Sequence, residues 1–416
     1  YGIVRVTYDL IGAPRTEWGV AVLLIGTASA LLGVLYALMQ HDLKRLLAYH
    51  SIENIGIILM GLGMSMIFLG SGLRTLGTLG LVAALYHTLN HALFKGLLFL
   101  GAGAVLNRSH ERDLDRMGGL IRRMPLTALL FLIGCVAISA LPPFNGFVSE
   151  WLTFQAALQG PAIANGVLRI LFPVSAAMLA LTGALAAACF VKAFGIAFLG
   201  RPRTRRAAHA REAPRGMIGG MGLLAAACLL LGVLPSLAIE AMAPMTQMLL
   251  GEKLPSASAL GWLWLTPISP KTASYSAPAV LLALLLVFGL GFLFLKRGAA
   301  PARRGAPWDC GFGPLTHRMQ YTAAAFSQPI RRVFRGVWRV EEHVASNPPE
   351  GLAPSRRATL HHSLHVADWS WLKIYLPLGQ LVLAAARRIG FIQTGNINTY
   401  LVYSFAQLMF YLWVES

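Results

Sequence analysis

Apolar residues fall along this chain in blocks of roughly 18 to 30, separated by short charged segments and showing no two-residue alternation. Blocks of that length match the hydrocarbon core of a bilayer when helical. A helix also satisfies its own backbone hydrogen bonds where water is absent. The lack of alternation argues against a transmembrane barrel. The pattern predicts spanning helices over 19–39, 47–69, 78–106, 125–157, 170–199, 217–246, 278–296 and 397–414. The fourth block is interrupted by Pro142, Pro143 and Gly146, within LPPFNGFVSEWL. Proline removes a backbone donor and breaks the helical ladder. Broken helices are tolerated in membranes where they line a cavity.

Charge orients these blocks. With successive loops on alternate sides, one side receives Lys44 and Arg45, then Arg108, Arg112, Arg116, Arg122 and Arg123. The same side receives Arg201, Arg203, Arg205, Arg206, Arg211 and Arg215, while the other side has little beyond Arg74 and Arg169. Such a bias marks the cytoplasmic face. The stretch 297–395 begins on that basic side and adds Arg331, Arg332, Arg335, Arg339, Arg356 and Arg357, with His361, His362 and His365. Within it, 366–392 is apolar but contains Asp368, Lys373 and Pro377. Its uninterrupted part, Ile374–Ala386, is short for a span and predicts a helix lying along the interface. A ninth span is the alternative, and it would move the C-terminus to the cytoplasm.

Composition agrees. Of 416 residues, 56% are hydrophobic and 12% charged, against about 25% charged in soluble domains. The net charge of +18 would suggest nucleic acid in a soluble chain. Here the basic loops account for it, and no nucleic-acid partner is expected. Cys135, Cys189, Cys228 and Cys310 lie far apart with no metal-ligand spacing, so neither a metal nor another cofactor is expected on this chain. The chain opens on Tyr1 with no signal-peptide pattern, and 1–18 reads as the end of an earlier helix and its loop. The sequence is therefore expected to be the C-terminal portion of something longer, or a split gene product.

The sharpest chemical feature is AALYHTLNHALFKGLLF, where His87, His91 and Lys95 recur every four residues on one helical face. An ionisable group at mid-bilayer costs about 2.5–3.5 kcal/mol on insertion scales, and such groups mark ion or proton routes. Imidazole both donates and accepts near neutral pH, so the ladder suits proton hopping. Glu150 follows the proline break, where a carboxylate either ends a proton route or closes the helix at the interface. His50 and Glu53 stand one turn apart early in their block, and they either take up protons or pair with each other or with Lys44. Lys192 lies late in its block near the basic side, where snorkelling is cheap; it is a structural lysine or a relay member. Glu240, beyond Pro235, is expected at the interface.

DLKRLLAYHSIENIG, HTLNHALFKGLLFLGAGAV and LPPFNGFVSEWL resemble the antiporter-like membrane subunits of respiratory complex I, Mrp antiporters and membrane-bound hydrogenases. With WDCGFGPLTHRMQYTAAAFSQPI, the resemblance falls nearest the branch of hydrogenase-4 component B and the large membrane subunit of formate hydrogenlyase. It implies an all-α, polytopic fold of two inverted five-helix repeats with one broken helix, then further helices and a lateral helix. Residues 1–18 would end the first repeat, 19–199 form the second, 200–296 add further spans, 297–395 hold the basic lateral segment, and 396–416 form the final span. By position, His87, His91 and Lys95 match the central relay and Glu150 the terminal site. The family's glutamate and lysine of the first repeat have no counterpart here. The resemblance implies a proton-translocating subunit in a bacterial inner membrane, driven by redox chemistry in peripheral and membrane partners. The alternatives are a sodium/proton antiporter subunit and a non-conducting scaffold for a hydrogenase.

Overall fold

The computed structural model describes residues 1–12, 14–254, 263–268, 274–298, 305, 308, 310–313, 315–347 and 359–415. The helices of the first 250 residues follow the hydrophobic blocks: α1 Thr16–Met39, α2 Leu43–Gly70, α3 Arg74–Ser109, α4 Pro125–Ile138, α5 Asn145–Leu158 and α6 Gly166–Phe198. They are followed by α7 Arg215–Val233 and α8 Pro235–Leu250, then α9 Ala277–Gly298 and α10 Ala323–Val333. Among the described residues, six helices are long and apolar enough to cross a membrane: α1, α2, α3, α6, α7 and α9.

Polar side chains fix where the helices begin. Asp42 accepts from the backbone N–H groups of Lys44 at 2.9 Å and Arg45 at 3.0 Å, satisfying orphan donors at the start of α2. Glu212 does the same from outside for α4, accepting from Leu126 N at 2.8 Å and the Thr127 hydroxyl at 2.5 Å. Between α1 and α2, glycines replace the usual hydrophobic driving force, which is absent in lipid. Gly19, Gly26 and Gly33 recur every seven residues along α1, and a Cβ on Gly33 would stand 2.6 Å from the Glu53 backbone nitrogen. That close approach locks the part of α2 that carries Glu53.

The 125–157 block is two 14-residue helices, α4 and α5, joined through 139–144. The junction is backbone against backbone. A Cβ on Gly146 would collide with the Ala137 carbonyl oxygen, and one on Gly232 with the Pro143 carbonyl oxygen. The 217–246 block departs from the sequence expectation of a single span. It divides at Leu234 into α7 and α8, because the residue before Pro235 is pushed out of the helical region and adopts φ −119°, ψ 51°.

The arginine-rich loops meet at one end of the bundle. Leu43 N donates to Arg112 O at 3.0 Å, Leu114 N to His41 O at 2.9 Å, Gly118 N to Ala197 O at 3.2 Å and Arg203 N to Met117 O at 3.2 Å. The segment before α10 caps the same end. Arg201 and Gln320 exchange two 3.0 Å bonds, Arg203 donates to Tyr321 O at 2.6 Å, and Ala323 N donates to Asp115 at 2.6 Å. At the opposite end the Thr75 hydroxyl meets Glu252 at 3.2 Å.

Residues 331–416 form a second compact unit, distinct from 1–330. It holds a two-stranded antiparallel ladder, β1 Arg339–Asn347 with β2 Thr359–Ala367, then α11 Leu376–Ile389 and α12 Ile397–Glu415. The ladder is the one described departure from an all-helical chain, in a region where the hydrophobic pattern gives no signal. Arg356 and Arg357, with the side chains of His361, His362 and His365, lie outside the described residues.

Candidate functional site

The buried polar side chains gather where α2, α3 and α5 meet. Burying polar groups without partners is expensive, and here nearly all find partners in each other. His50 Nδ1 bonds Glu53, and both are almost fully enclosed, at 0% and 2% exposed. The His50 ring lies against Phe190 of α6, with centroids 4.5 Å apart. Asn54, the next residue along, donates to His50 O at 2.8 Å and to Glu53 Oε2 at 3.4 Å. Its amide oxygen faces α3, 3.1 Å from His87 Nε2. On its other edge His87 Nδ1 lies 2.9 Å from Ser149 Oγ of α5.

Beyond Ser149 the network closes on the helix break. Asn90 donates to Ser149 Oγ at 3.1 Å and to the Asn145 carbonyl at 2.9 Å, and Asn145 returns a bond to Asn90 Oδ1 at 3.1 Å. His50, Glu53, Asn54, His87, Ser149, Asn90 and Asn145 thus form one unbroken hydrogen-bonded chain across three helices. Helix α5 can place Ser149 and Asn145 in it because the interruption at 139–144 starts α5 afresh. Glu150, beside Ser149, is 6% exposed and lines a cavity of about 360 Å³ with Phe147, Trp151, Phe154 and Leu179. A second cavity of about 230 Å³ shares Ser139, Leu141 and Ala187 with the first, so both border the break.

The predicted ladder on α3 is not a ladder of contacts. Eight residues of α-helix turn through about 80° beyond whole turns, so His87 and Lys95 face different neighbours. Lys95, 5% exposed, donates to the Leu47 carbonyl of α2 and stands over the Phe99 ring at 5.7 Å. His91 is only half-buried, packs its edge on Phe94, and its Nε2 finds no partner among the described residues. Lys95 lies within electrostatic reach of Glu53 and Cys189, and Glu53 within reach of Glu150. Glu53 is therefore the hub of the cluster. It sits 10 residues into α2, roughly 15 Å from the helix start.

Of the two readings of Lys192, its geometry is that of a structural lysine. It does not snorkel: it is 0% exposed and donates to Leu38 O at 2.6 Å and Gln40 O at 2.8 Å, capping the C-terminus of α1. The Ser327 hydroxyl of α10 shares the Leu38 carbonyl, at 2.6 Å. Glu240 is exposed on α8 and borders a separate cavity of about 260 Å³ with Lys253.

Sequence reasoning did not single out Asn54, Asn90, Asn145 or Ser149. An amide inside an apolar span is itself the signal, since it must find a partner there.

Residues 1–179 match the family described as NADH:quinone oxidoreductase/Mrp antiporter, transmembrane. Hydrogenase-4 component B of Escherichia coli (strain K12) is 40% identical over 421 residues, covering 98% of this chain and 61% of that protein. Formate hydrogenlyase subunit 3 of the same organism is 39% identical over 341 residues, covering 81% of this chain and 53% of that protein. Among solved structures, a chain of an archaeal membrane-bound sulfane sulfur reductase superposes with a TM-score of 0.64 at 23% identity, over 99% of this chain and 58% of that one, a likeness of fold. The chain spans between half and two-thirds of the length of these curated relatives. The chain is thus similar over most of its length to antiporter-like proteins of the hydrogenase-4 and formate hydrogenlyase type.

Proposed function

We propose that this chain carries protons through part of the bilayer as the membrane subunit of a hydrogenase-type or complex I-type oxidoreductase. Redox chemistry in partner subunits would supply the energy, and the chain itself would hold and pass protons without a redox step. One observation carries the reading: a continuous buried hydrogen-bonded chain from His50 and Glu53 to Ser149, beside Lys95 and Glu150. Ionisable side chains this deep are costly to insert, and a scaffold gains nothing from them.

In this mechanism Glu53 and Lys95 form a charge-coupled pair. A proton taken by Glu53 cancels the carboxylate that holds the Lys95 ammonium, so one move drives the next. His87 and Ser149 carry the proton towards the helix break, and Glu150 holds it beside the cavity there. The test is the purified complex containing this subunit, reconstituted in proteoliposomes. Lys95→Ala and Glu53→Gln are expected to cut protons moved per electron at least tenfold, with complex yield unchanged. Wild-type stoichiometry in both variants would sink the reading. Sodium uptake that replaces proton movement would instead indicate the cation-antiport alternative.

A further inference from the structure

Between Glu53 and Ser149 the hydrogen-bonded chain contains one member that cannot relay a proton. Imidazole, carboxyl and hydroxyl groups exchange protons readily. A carboxamide donates and accepts hydrogen bonds but keeps its own protons, because passing one on requires the high-energy imidic acid. Asn54 stands at the junction of α2 and α3, with Glu53 and His50 on one side and His87 on the other.

Its orientation is fixed. The His50 carbonyl can only accept, so the group 2.8 Å from it is the Asn54 NH2, and the amide oxygen therefore faces His87. The bond of 3.1 Å then requires His87 to donate from Nε2. This leaves Nδ1 as the edge at which the ring gains or loses a proton, and that edge meets Ser149. Ser149 can serve both charge states of the ring. With neutral His87 its hydroxyl donates to Nδ1. With charged His87 it accepts from Nδ1 and turns its own proton to the Gly146 carbonyl, 3.2 Å away. Asn90, whose NH2 is oriented by the Asn145 carbonyl at 2.9 Å, keeps a donor on Ser149 in both states.

We propose that Asn54 is an amide gate: by holding His87 through Nε2 it separates the Glu53–His50 pair from the His87–Ser149 pair. Protons cross between the two pairs only when the Asn54–His87 bond opens and the ring or a water molecule bridges the gap. Asn54 is a positioning residue in this scheme. The gate rests on the proton-carrying reading above, and it explains how a continuous chain of hydrogen bonds can exist at mid-span without short-circuiting the membrane.

The reconstituted complex tests this by two readouts: passive proton flux in a pH gradient without turnover, and protons moved per electron. Asn54→Asp places an exchangeable carboxyl where the amide stood. It is expected to raise passive flux at least tenfold and lower the net stoichiometry, with redox turnover retained. Asn54→Leu keeps the volume and removes the polar bridge, and is expected to lower stoichiometry without a leak. If Asn54→Asp fails to assemble, Asn54→Ser, with a hydroxyl and room for water, is expected to leak in the same way. Passive flux at the wild-type level in the assembled aspartate or serine variant, with Lys95→Ala still abolishing pumping, would overturn the gate and leave the proton-carrying reading standing. Wild-type behaviour in both the Asn54 and Lys95 variants would overturn both.

Discussion

At the scale of single residues, the chain separates lysines that carry similar sequence signals. Lys95 and Lys192 both lie in apolar helices, but Lys95 donates to the Leu47 carbonyl with the Glu53 carboxylate in electrostatic reach, and Lys192 donates to the last carbonyls of α1. The second arrangement is a helix cap. Lys192→Met would strip the Gln40 carbonyl of its lysine donor and leave the Leu38 carbonyl to Ser327 alone, at about 1–3 kcal/mol. The expected outcome is a thermal midpoint of the detergent-solubilised complex lower by several degrees, with protons per electron within twofold of wild type. A tenfold loss of stoichiometry at unchanged thermal stability would make Lys192 part of the route instead. The sequence showed which residues are ionisable and in which blocks, but could not show which of them meet a carboxylate. That depends on the rotation of each helix, and one residue of uncertainty turns a side chain by about 100°.

Asp115 makes a prediction of the same scale at the basic end. Burial alone would raise its pKa, but hydrogen bonds from His41 and the Ala323 N–H, with the charges of His41 and Arg203, hold its carboxyl below the usual aspartate range. A depressed folded-state value means that this stabilisation is complete above the ordinary value of about 3.9 and is lost as pH falls through the lower folded one. The docking of 315–327 on the basic loops should therefore withstand mild acid. In Asp115→Asn the charge-assisted bonds, worth about 1.5–3 kcal/mol, are absent at every pH. Hydrogen exchange in peptides spanning 315–327 should rise in this variant near neutral pH, and unchanged protection would contradict the assignment.

Elements repeat the lesson with a different cause. The α1–α2 pair was legible as two apolar blocks, but their contact depends on Gly19, Gly26 and Gly33, which a hydropathy pattern does not distinguish from leucine. The break in the 125–157 block was legible because proline forbids the ladder there. The break before Pro235 was passed over because the apolar run continues across it. The hairpin of β1 and β2 lies in polar sequence, where periodicity has nothing to detect. Gly33→Ala gives a test at this scale. Its methyl would meet the Glu53 backbone nitrogen, so the two helices must part by some tenths of an ångström or more. Both the stability of the complex and the coupling of pumping to turnover should fall, because the same contact supports the fold and positions the hub carboxylate. Loss of stability alone would show that Glu53 does not depend on its helix partner for placement.

For the whole molecule, the alternation of basic and neutral loops was fully legible from the sequence. The loops carrying Arg112, Arg116 and Arg203 converge at one end and are closed over by 315–327. Arg201 and Arg203 bond the segment before α10 at that end. Replacing Arg201, Arg203, Arg205 and Arg206 by glutamine is expected to reduce membrane insertion or subunit assembly several-fold. Molecules that do assemble should show unaltered protons per electron; normal assembly with impaired pumping would contradict this division of labour.

The shared Leu38 carbonyl has a consequence for biosynthesis. Lys192 and Ser327 both close on it, and 289 residues separate Ser327 from Leu38. When α6 leaves the ribosome, the segment that seals this end has not yet been made. Lys192 and both of its carbonyl acceptors at the end of α1 are thus made before Ser327, whose hydroxyl joins the Leu38 carbonyl last. The lysine can therefore complete both of its carbonyl bonds as soon as α6 packs against α1, and the cap of α1 is in place before α10 docks on it.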